Sequence, residues 1–285
     1  MVAVAVRLVS GLWRSSHPGP TLVVTALAAG LAIASGVSPG RIALLGSAVF
    51  AGQLSVGISN DALDADRDRA VGRTDKPIAC GDISVRTAWV GAGAMLVAAL
   101  ALSAPLGVGL LVAHAAFIVS AWSYNLGLKA TWWSILPYLF SFGLFPSLAT
   151  VASAQPQFAA PWAWLAGAAL GAALHLTNVL PDLDDDARTG IRGLPHRIGG
   201  PASARLAAAA VIIGGLAVAL GPSQGNPADV PVLAWMFFGV VALLAVATVV
   251  MVRAGRSGRV LFRLVMLAAF VLAAQLVASG GSLTG

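Results

Sequence analysis

The chain has 285 residues, 58% of them hydrophobic and 10% charged, with a formal net charge of +6. A soluble domain of this length carries about a quarter charged residues, so the composition excludes an ordinary soluble enzyme, and with no soluble basic domain it argues against a nucleic-acid partner. The basic excess suits anionic lipid headgroups or an anionic substrate instead, and a lone Cys80 leaves no internal disulfide and no thiolate metal site.

Residues 2–14, with Val, Leu and Trp13 around Arg7, predict a short interfacial helix within an amino-terminal segment, 1–20. Beyond it, apolar runs near 20 residues recur, each enough to cross a hydrocarbon core of roughly 30 Å. They fall at 21–38, 41–59, 87–104, 106–123, 134–153, 161–180, 203–221, 230–252 and 261–279. The predicted fold is therefore an all-α polytopic membrane protein of about nine transmembrane helices, with one membrane domain over 21–280. Turn-forming segments such as "GVSPGR", "SAPLG", "SAQPQFAAP" and "GPSQGNPADVP" separate alternate spans and carry almost no charge. The other connections, notably those near 60–86 and 182–202, hold the basic residues. Counted with Arg7 and Arg14, sixteen of the seventeen Lys and Arg lie on one side, and Arg41 alone lies on the other. Basic residues favour the cytoplasmic face. The expectation is an integral protein of the cytoplasmic membrane, with its amino terminus inside and its carboxyl terminus outside.

The acidic residues are unevenly spread. There is no Glu; of eleven Asp, six lie between 61 and 82, four between 182 and 186, and Asp229 stands apart. Both clusters follow the cytoplasmic end of an even-numbered span, and they share a spacing. Asn60, Asp64, Asp68 and Gly72 are four apart, as are Asn178, Asp182, Asp186 and Gly190. A series at i, i+4 and i+8 lies along one helix face, so each copy directs a carboxamide and two carboxylates one way, and Asp61 joins the first at three residues from Asp64. An Asp in hydrocarbon costs about 2.5–3.5 kcal/mol on insertion scales, which excludes a lipid-facing placement for so many. A single Asp-rich loop is ordinarily solvated and structural. Two matching copies, in a chain with almost no acid elsewhere, point to a held cation. All-oxygen ligands favour Mg²⁺, with Mn²⁺ as the alternative, ahead of Zn²⁺. With Arg and Lys around them, the two ladders suit a Mg²⁺–diphosphate.

These residues resemble a known family. "NDALDADRD" at 60–68 is similar to the N-D-x-x-D-x-x-x-D motif of UbiA-type intramembrane prenyltransferases, and "DLDDD" at 182–186 resembles their second motif, D-x-x-x-D. "GRTDKPIACGDIS" at 72–84, "SYNLGLK" at 123–129 and "GIRGLPHRIG" at 190–199 resemble further family segments in the same order, although Thr74 and Lys76 depart from the usual residues. The resemblance covers about 15–280. It implies nine helices around a central cavity open toward the cytoplasmic side. It also implies that Asn60, Asp61, Asp64 and Asp68 hold one Mg²⁺, and that Asp182 and Asp186, with Asn178 beside them, hold another through the diphosphate. Arg73, Lys76, Lys129 and Arg192 would contact phosphate oxygens.

The chemistry so implied is transfer of a prenyl group from a polyprenyl diphosphate to a small aromatic or quinone-precursor acceptor, a transferase reaction of isoprenoid metabolism with no protein partner. Terpene cyclisation and phosphoribosyl transfer to polyprenyl phosphate are alternatives within the family. A cation or phosphate transporter is the alternative from another class, but its pathway ligands would lie at mid-span, where this chain has no Asp. Trp122, Tyr124, Trp132, Trp133, Tyr138, Phe140, Phe142 and Phe145 cluster around the fourth and fifth spans, and some are placed to border a carbocation. Trp132 and Trp133 read rather as an interfacial belt. His114 and His175 read as buried, hydrogen-bonded side chains.

Overall fold

The computed structural model describes residues 2–180, 192–256 and 259–284. Among these there is no strand. The described residues form eleven α-helices: α1 (Val2–Ser15), α2 (Pro18–Ala34), α3 (Pro39–Ala70), α4 (Val85–Ser103), α5 (Val108–Asn125), α6 (Leu136–Val151), α7 (Pro161–Asn178), α8 (Leu194–Ile198), α9 (Gly200–Leu220), α10 (Val232–Arg253) and α11 (Arg259–Ala278). Nine of them, α2–α7 and α9–α11, stand where the nine apolar runs predict spans. Pro18, Pro39, Pro137 and Pro161 set the first turns of α2, α3, α6 and α7, where a missing N–H is harmless and the fixed φ is already helical.

Seven of the described helical segments are long and apolar enough to cross a membrane, with α6 counted together with the 3₁₀ turn Trp132–Ile135 that leads into it. The 17-residue α2 meets that measure only together with α1, across a bend of 72°. Helix α7, whose last turn carries His175, Thr177 and Asn178, is not among the seven.

The largest departure from the predicted spans is α3. The run 41–59 predicts a span ending at the acidic motif and a connection near 60–86, although the four-residue spacing of Asn60, Asp64 and Asp68 already reads as helical. The helix in fact continues through the motif to Ala70, 32 residues in all. At 1.5 Å per residue that is about 48 Å, well beyond a hydrocarbon core of roughly 30 Å. The last turns of α3, which carry the carboxylates, are therefore length beyond what a perpendicular crossing needs.

Helix packing closes a ring. Helix α3 packs against α2, α4 and α5; α6 joins α5 to α7; α9, α10 and α11 continue; and α11 returns to α2. Small residues permit close approach, as is usual between membrane helices. At Gly167 and Gly171 of α7 an added Cβ would lie 2.0 Å from the Phe142 carbonyl oxygen and 2.4 Å from that of Tyr138. Arg41, the exception in the charge distribution, is used as a clamp. Its guanidinium donates to the carbonyl of Ala152 just past α6 and to that of Leu106, the latter at 3.0 Å.

The two buried histidines are hydrogen-bonded as expected. His114 Nδ1 is 2.8 Å from Ser103 Oγ, and His175 Nε2 is 3.0 Å from Ser134 Oγ.

Candidate active site

The carboxylates of α3 are shielded. Asp61 is 1% exposed, Asp64 8% and Asp68 5%, against a side chain 97% exposed for Asp66 on the opposite face, where Arg69 pairs with it. The helical period has thus sorted four nearby aspartates into three that face inward and one that faces water.

Asp61 and Asp64 are met by cations from elsewhere in the chain, and Asp68 by its neighbour Arg67. Lys129 lies on a short 3₁₀ turn, Leu128–Ala130, beyond the end of α5. Its Nζ donates to Asp64 Oδ1 at 2.6 Å, Asp64 Oδ2 at 2.7 Å and Asn60 Oδ1 at 3.3 Å. Arg67 approaches Asp64 Oδ2 at 2.9 Å and Asp68 Oδ1 at 3.8 Å. Asp61 belongs to a separate group: its Oδ1 receives Lys76 Nζ at 2.6 Å and lies 2.8 Å from His17 Nε2. Burial pulls the Lys129 ammonium below the ordinary lysine range, and its bond to Asp64 opposes that pull.

Asn125 explains why Lys129 reaches α3. At the end of α5 its amide donates to the Val56 carbonyl at 2.9 Å and to Ser59 Oγ at 3.1 Å, one residue before the motif. Sequence reasoning missed Asn125, although it lies within "SYNLGLK". It also missed His17, which shows no periodic signal.

Arg73 and Lys76 follow α3 in the loop 71–84. Arg73 engages Asp75 through Nε and a terminal nitrogen, both at 2.8 Å, and this exposed fork holds the Asp75 carboxyl down at about 2. Arg14 of α1 reaches the same loop, 3.5 Å from Asp82 Oδ2 and 3.3 Å from the Asp75 carbonyl oxygen.

Asp182 and Asp186 lie outside the described residues, but their flanks are described. Asn178 is exposed at the end of α7, where it interacts with the Tyr138 side chain. After the motif, Arg192 is exposed and its carbonyl accepts from Arg197 Nε at 2.7 Å. Gly193 then passes so near the Lys129 turn that a Cβ would come within 2.5 Å of the Lys129 carbonyl oxygen. The Leu194 N–H donates to Ser134 Oγ at 2.8 Å, and the same hydroxyl meets His175 of α7. Gly193, seven residues beyond Asp186, thus lies against the backbone of the lysine that grips the first motif.

The aromatic residues divide. Tyr124 and Tyr138 meet edge-on at 5.2 Å, Tyr138 lies 4.9 Å from His175, and Phe142 and Phe145 continue the series. Trp132, Trp133 and Phe140 are exposed, with Arg197 over the Trp132 ring, and Trp122 packs on Trp89.

Among the described residues no three His, Cys, Asp or Glu side chains form a metal-binding group. The donor chemistry nonetheless suits a hard cation: Asn60 Oδ1 and both Asp64 oxygens gather on one ammonium, which stands where a positive charge is wanted. Asp61 Oδ2 is also buried without a hydrogen-bond partner among the described residues.

The described helices thus form a ring with a carboxylate-rich, cation-laced end. The sequence matches the UbiA prenyltransferase family over residues 22–272, and the chain belongs to that family. Solved structures agree on the fold. A digeranylgeranylglyceryl phosphate synthase matches at 13% identity with a TM-score of 0.72, over 96% of this chain and 99% of that one. A UbiA homologue from Archaeoglobus fulgidus bound to GPP and Mg²⁺ matches at 14% identity and 0.71, over 94% and 99%. A UbiA homologue from Aeropyrum pernix K1 matches at 20% identity and 0.70, over 91% and 97%. No curated protein sequence matches the chain.

Proposed function

We propose that the protein is a Mg²⁺-dependent transferase that moves a prenyl group from a polyprenyl diphosphate to an aromatic or quinone-precursor acceptor within the cytoplasmic membrane. The observation that carries this reading is the convergence of Asn60 and Asp64 on the Lys129 ammonium, with Gly193, seven residues beyond Asp186, packed against the same turn. The homologue solved with GPP and Mg²⁺ supports the substrate class.

In this reading Asn60, Asp61, Asp64 and Asp68 hold metal from the first motif, and Asn178, Asp182 and Asp186 from the second. When bound, Mg²⁺ would supply Lewis-acid neutralisation of the diphosphate. Lys129, Lys76, Arg73 and Arg192 receive phosphate oxygens and stabilise the negative charge that grows as the allylic C–O bond breaks and the diphosphate leaves with the electron pair. Lys129 and Lys76 exchange carboxylate for phosphate in doing so, and Arg73 exchanges Asp75. The Tyr124, Tyr138, Phe142 and Phe145 rings present π faces to the allylic cation and exclude water from it. An acceptor ring carbon then forms the new C–C bond and loses its proton to the released diphosphate, which restores the aromatic ring.

The polar end of the ring faces the cytoplasm, with the amino terminus inside and the carboxyl terminus outside. Sixteen of seventeen basic residues support that orientation, and the seventeenth, Arg41, serves as a helix clamp.

Incubation of purified protein with labelled geranyl, farnesyl and geranylgeranyl diphosphates, with and without phenolic and naphthoic acids, tests the reading by product mass. A prenylated acid, formed only with divalent metal, is expected. Acceptor-independent hydrocarbon would replace transfer with cyclisation. No metal-dependent diphosphate release from any donor would sink the enzyme reading.

A further inference from the structure

The elbow between α1 and α2 is built around one strained residue. His17 has φ 54 and ψ 69, the left-handed region in which a Cβ crowds the backbone. Positive φ is uncommon outside glycine, and Asn, Asp and His are the side chains that enter it most readily, so the conformation is a local cost that the contacts around the elbow must hold in place.

The elbow itself is locked. Ser15 and Ser16 are 0% and 1% exposed. Ser16 Oγ donates to the Trp13 carbonyl at 2.7 Å, and Thr21 Oγ1 donates to the Ser16 carbonyl at 2.8 Å. That carbonyl sits against Gly57 of α3, where an added Cβ would lie 2.3 Å from its oxygen. Gly57 is four residues before Asp61, so the elbow docks one helical turn below the first carboxylate of the motif.

This docking gives the ring its place. Nε2 of His17 lies 2.8 Å from Asp61 Oδ1 and 3.4 Å from Lys76 Nζ. The His17 side chain is 38% exposed while that of Asp61 is 1% exposed. The ring therefore adds little to the apolar core; its one buried partner is the carboxylate. With Lys76 also on Oδ1, that oxygen is doubly engaged and the rotamer of Asp61 is fixed. Oδ2 is left buried with no hydrogen-bond partner among the described residues.

We propose that His17 is a positioning residue for the first aspartate motif: from a strained backbone it pins Oδ1 of Asp61, so that Oδ2 remains the oxygen offered to a divalent cation. The proposal rests on the metal-dependent reading above. It assigns the amino-terminal elbow, which lies outside both motifs, to the site, and it gives the left-handed conformation a reason.

Glycine adopts positive φ without steric cost, so His17→Gly removes the ring while relaxing the elbow. His17→Gln keeps an N–H donor at a reach close to that of Nε2. In the full chain in detergent, Mn²⁺ alone is titrated against wild type and both variants, with free Mn²⁺ read by its paramagnetic resonance signal and thermal midpoints taken in parallel. The expected result is a His17→Gly midpoint equal to or above wild type, Mn²⁺ affinity lowered about 10-fold, as is typical when a partner of a metal ligand is lost, and most of that loss restored in His17→Gln. In turnover, His17→Gly shifts the Mg²⁺ concentration for half-maximal rate while the rate at saturating Mg²⁺ holds. Unchanged Mn²⁺ affinity in His17→Gly overturns the proposal and leaves the metal-dependent reading standing. A midpoint that falls together with affinity shows a packing role and also overturns it. Wild type that binds no Mn²⁺ overturns both.

Discussion

Lys129 places its ammonium 2.6 and 2.7 Å from the two carboxylate oxygens of Asp64, a residue 65 positions earlier in the chain. The pair joins the turn after α5 to the last turns of α3, and Gly193, beyond the second motif, rests on the same turn. Asp64 has a second cation, Arg67 at 2.9 Å. Lys129 has no second carboxylate within 4 Å among the described residues, only the Asn60 amide oxygen at 3.3 Å. The two partners therefore depend on the pair unequally.

That inequality orders two substitutions. In Asp64→Asn a mostly buried ammonium loses its counter-charge, a change that costs up to about 3 kcal/mol when a buried pair is broken. In Lys129→Met the carboxylate keeps Arg67, and the loss is expected to be about 1 kcal/mol. Thermal midpoints in detergent should fall in that order. Equal loss in both variants would mean that Arg67 does not compensate.

The same pair predicts opposite effects on metal and on turnover. Lys129 competes with a divalent cation for Asp64, and in the proposed mechanism it later serves the diphosphate. Lys129→Met should bind Mn²⁺ alone roughly tenfold more tightly, since a nearby positive charge is gone. Its diphosphate release from a geranyl or farnesyl donor should fall about 100-fold, the usual effect of losing one charge-stabilising donor. Asp64→Asn and Asp182→Ala should each abolish metal-dependent release to a similar or greater degree. A Lys129→Met variant with normal release would remove Lys129 from the phosphate site.

The helices were legible because membrane spans are written in plain composition: apolar runs bounded by Pro and Gly turns predict the places of α2 to α7 and α9 to α11. The acidic face of α3 was legible as well, since Asn60, Asp64 and Asp68 keep a four-residue spacing. The extent of α3 was not. A hydropathy run stops where Asp begins, but the helix is held past that point by tertiary cations, Lys129 and Lys76, whose contacts span 65 and 15 residues. For the same reason Lys129 and Lys76, assigned to phosphate, were found on carboxylates, because two charges that attract at long sequence separation leave no local pattern. His17 was hidden more deeply. A single histidine before a proline has no period, and its role arises from a backbone angle and from the close approach of Ser16 to Gly57.

The Arg73–Asp75 fork gives a dependence on acidity. The Asp75 carboxyl is held at about 2 in the folded chain against an ordinary value of 3.8. Because the folded value is the lower, the fork's contribution is fully present above about pH 4 and is lost as pH falls toward 2. Both side chains are largely exposed, at 47% and 62%, so the effect is local and small, below about 1 kcal/mol. Amide exchange in the loop 71–84 should quicken a few-fold, after correction for intrinsic rates, when pH is lowered from 4 to 2.5. Asp75→Asn should be insensitive over that range, and it should raise loop exchange at pH 6. A loop whose protection is the same at both pH values would show that Arg14, through the Asp75 carbonyl and Asp82, holds it instead.

Gly171 tests whether the α6–α7 contact governs the aromatic wall. An alanine Cβ there would meet the Tyr138 carbonyl oxygen at 2.4 Å and Phe142 Cβ at 2.8 Å, and neither backbone nor Cβ can turn away as a side-chain tip can. The helices must separate, at a cost of about 1–3 kcal/mol for overpacking. Separation moves Tyr138 relative to Tyr124, His175 and Asn178, so Gly171→Ala should lower the thermal midpoint and also reduce turnover. Gly93 of α4 is the matched control, with nothing within 4 Å of an added Cβ. Gly93→Ala should match wild type in turnover and gain up to about 1 kcal/mol from helix propensity. If Gly171→Ala loses stability yet turns over normally, Tyr138 is a packing residue, and the wall around the allylic cation must be sought on other helices.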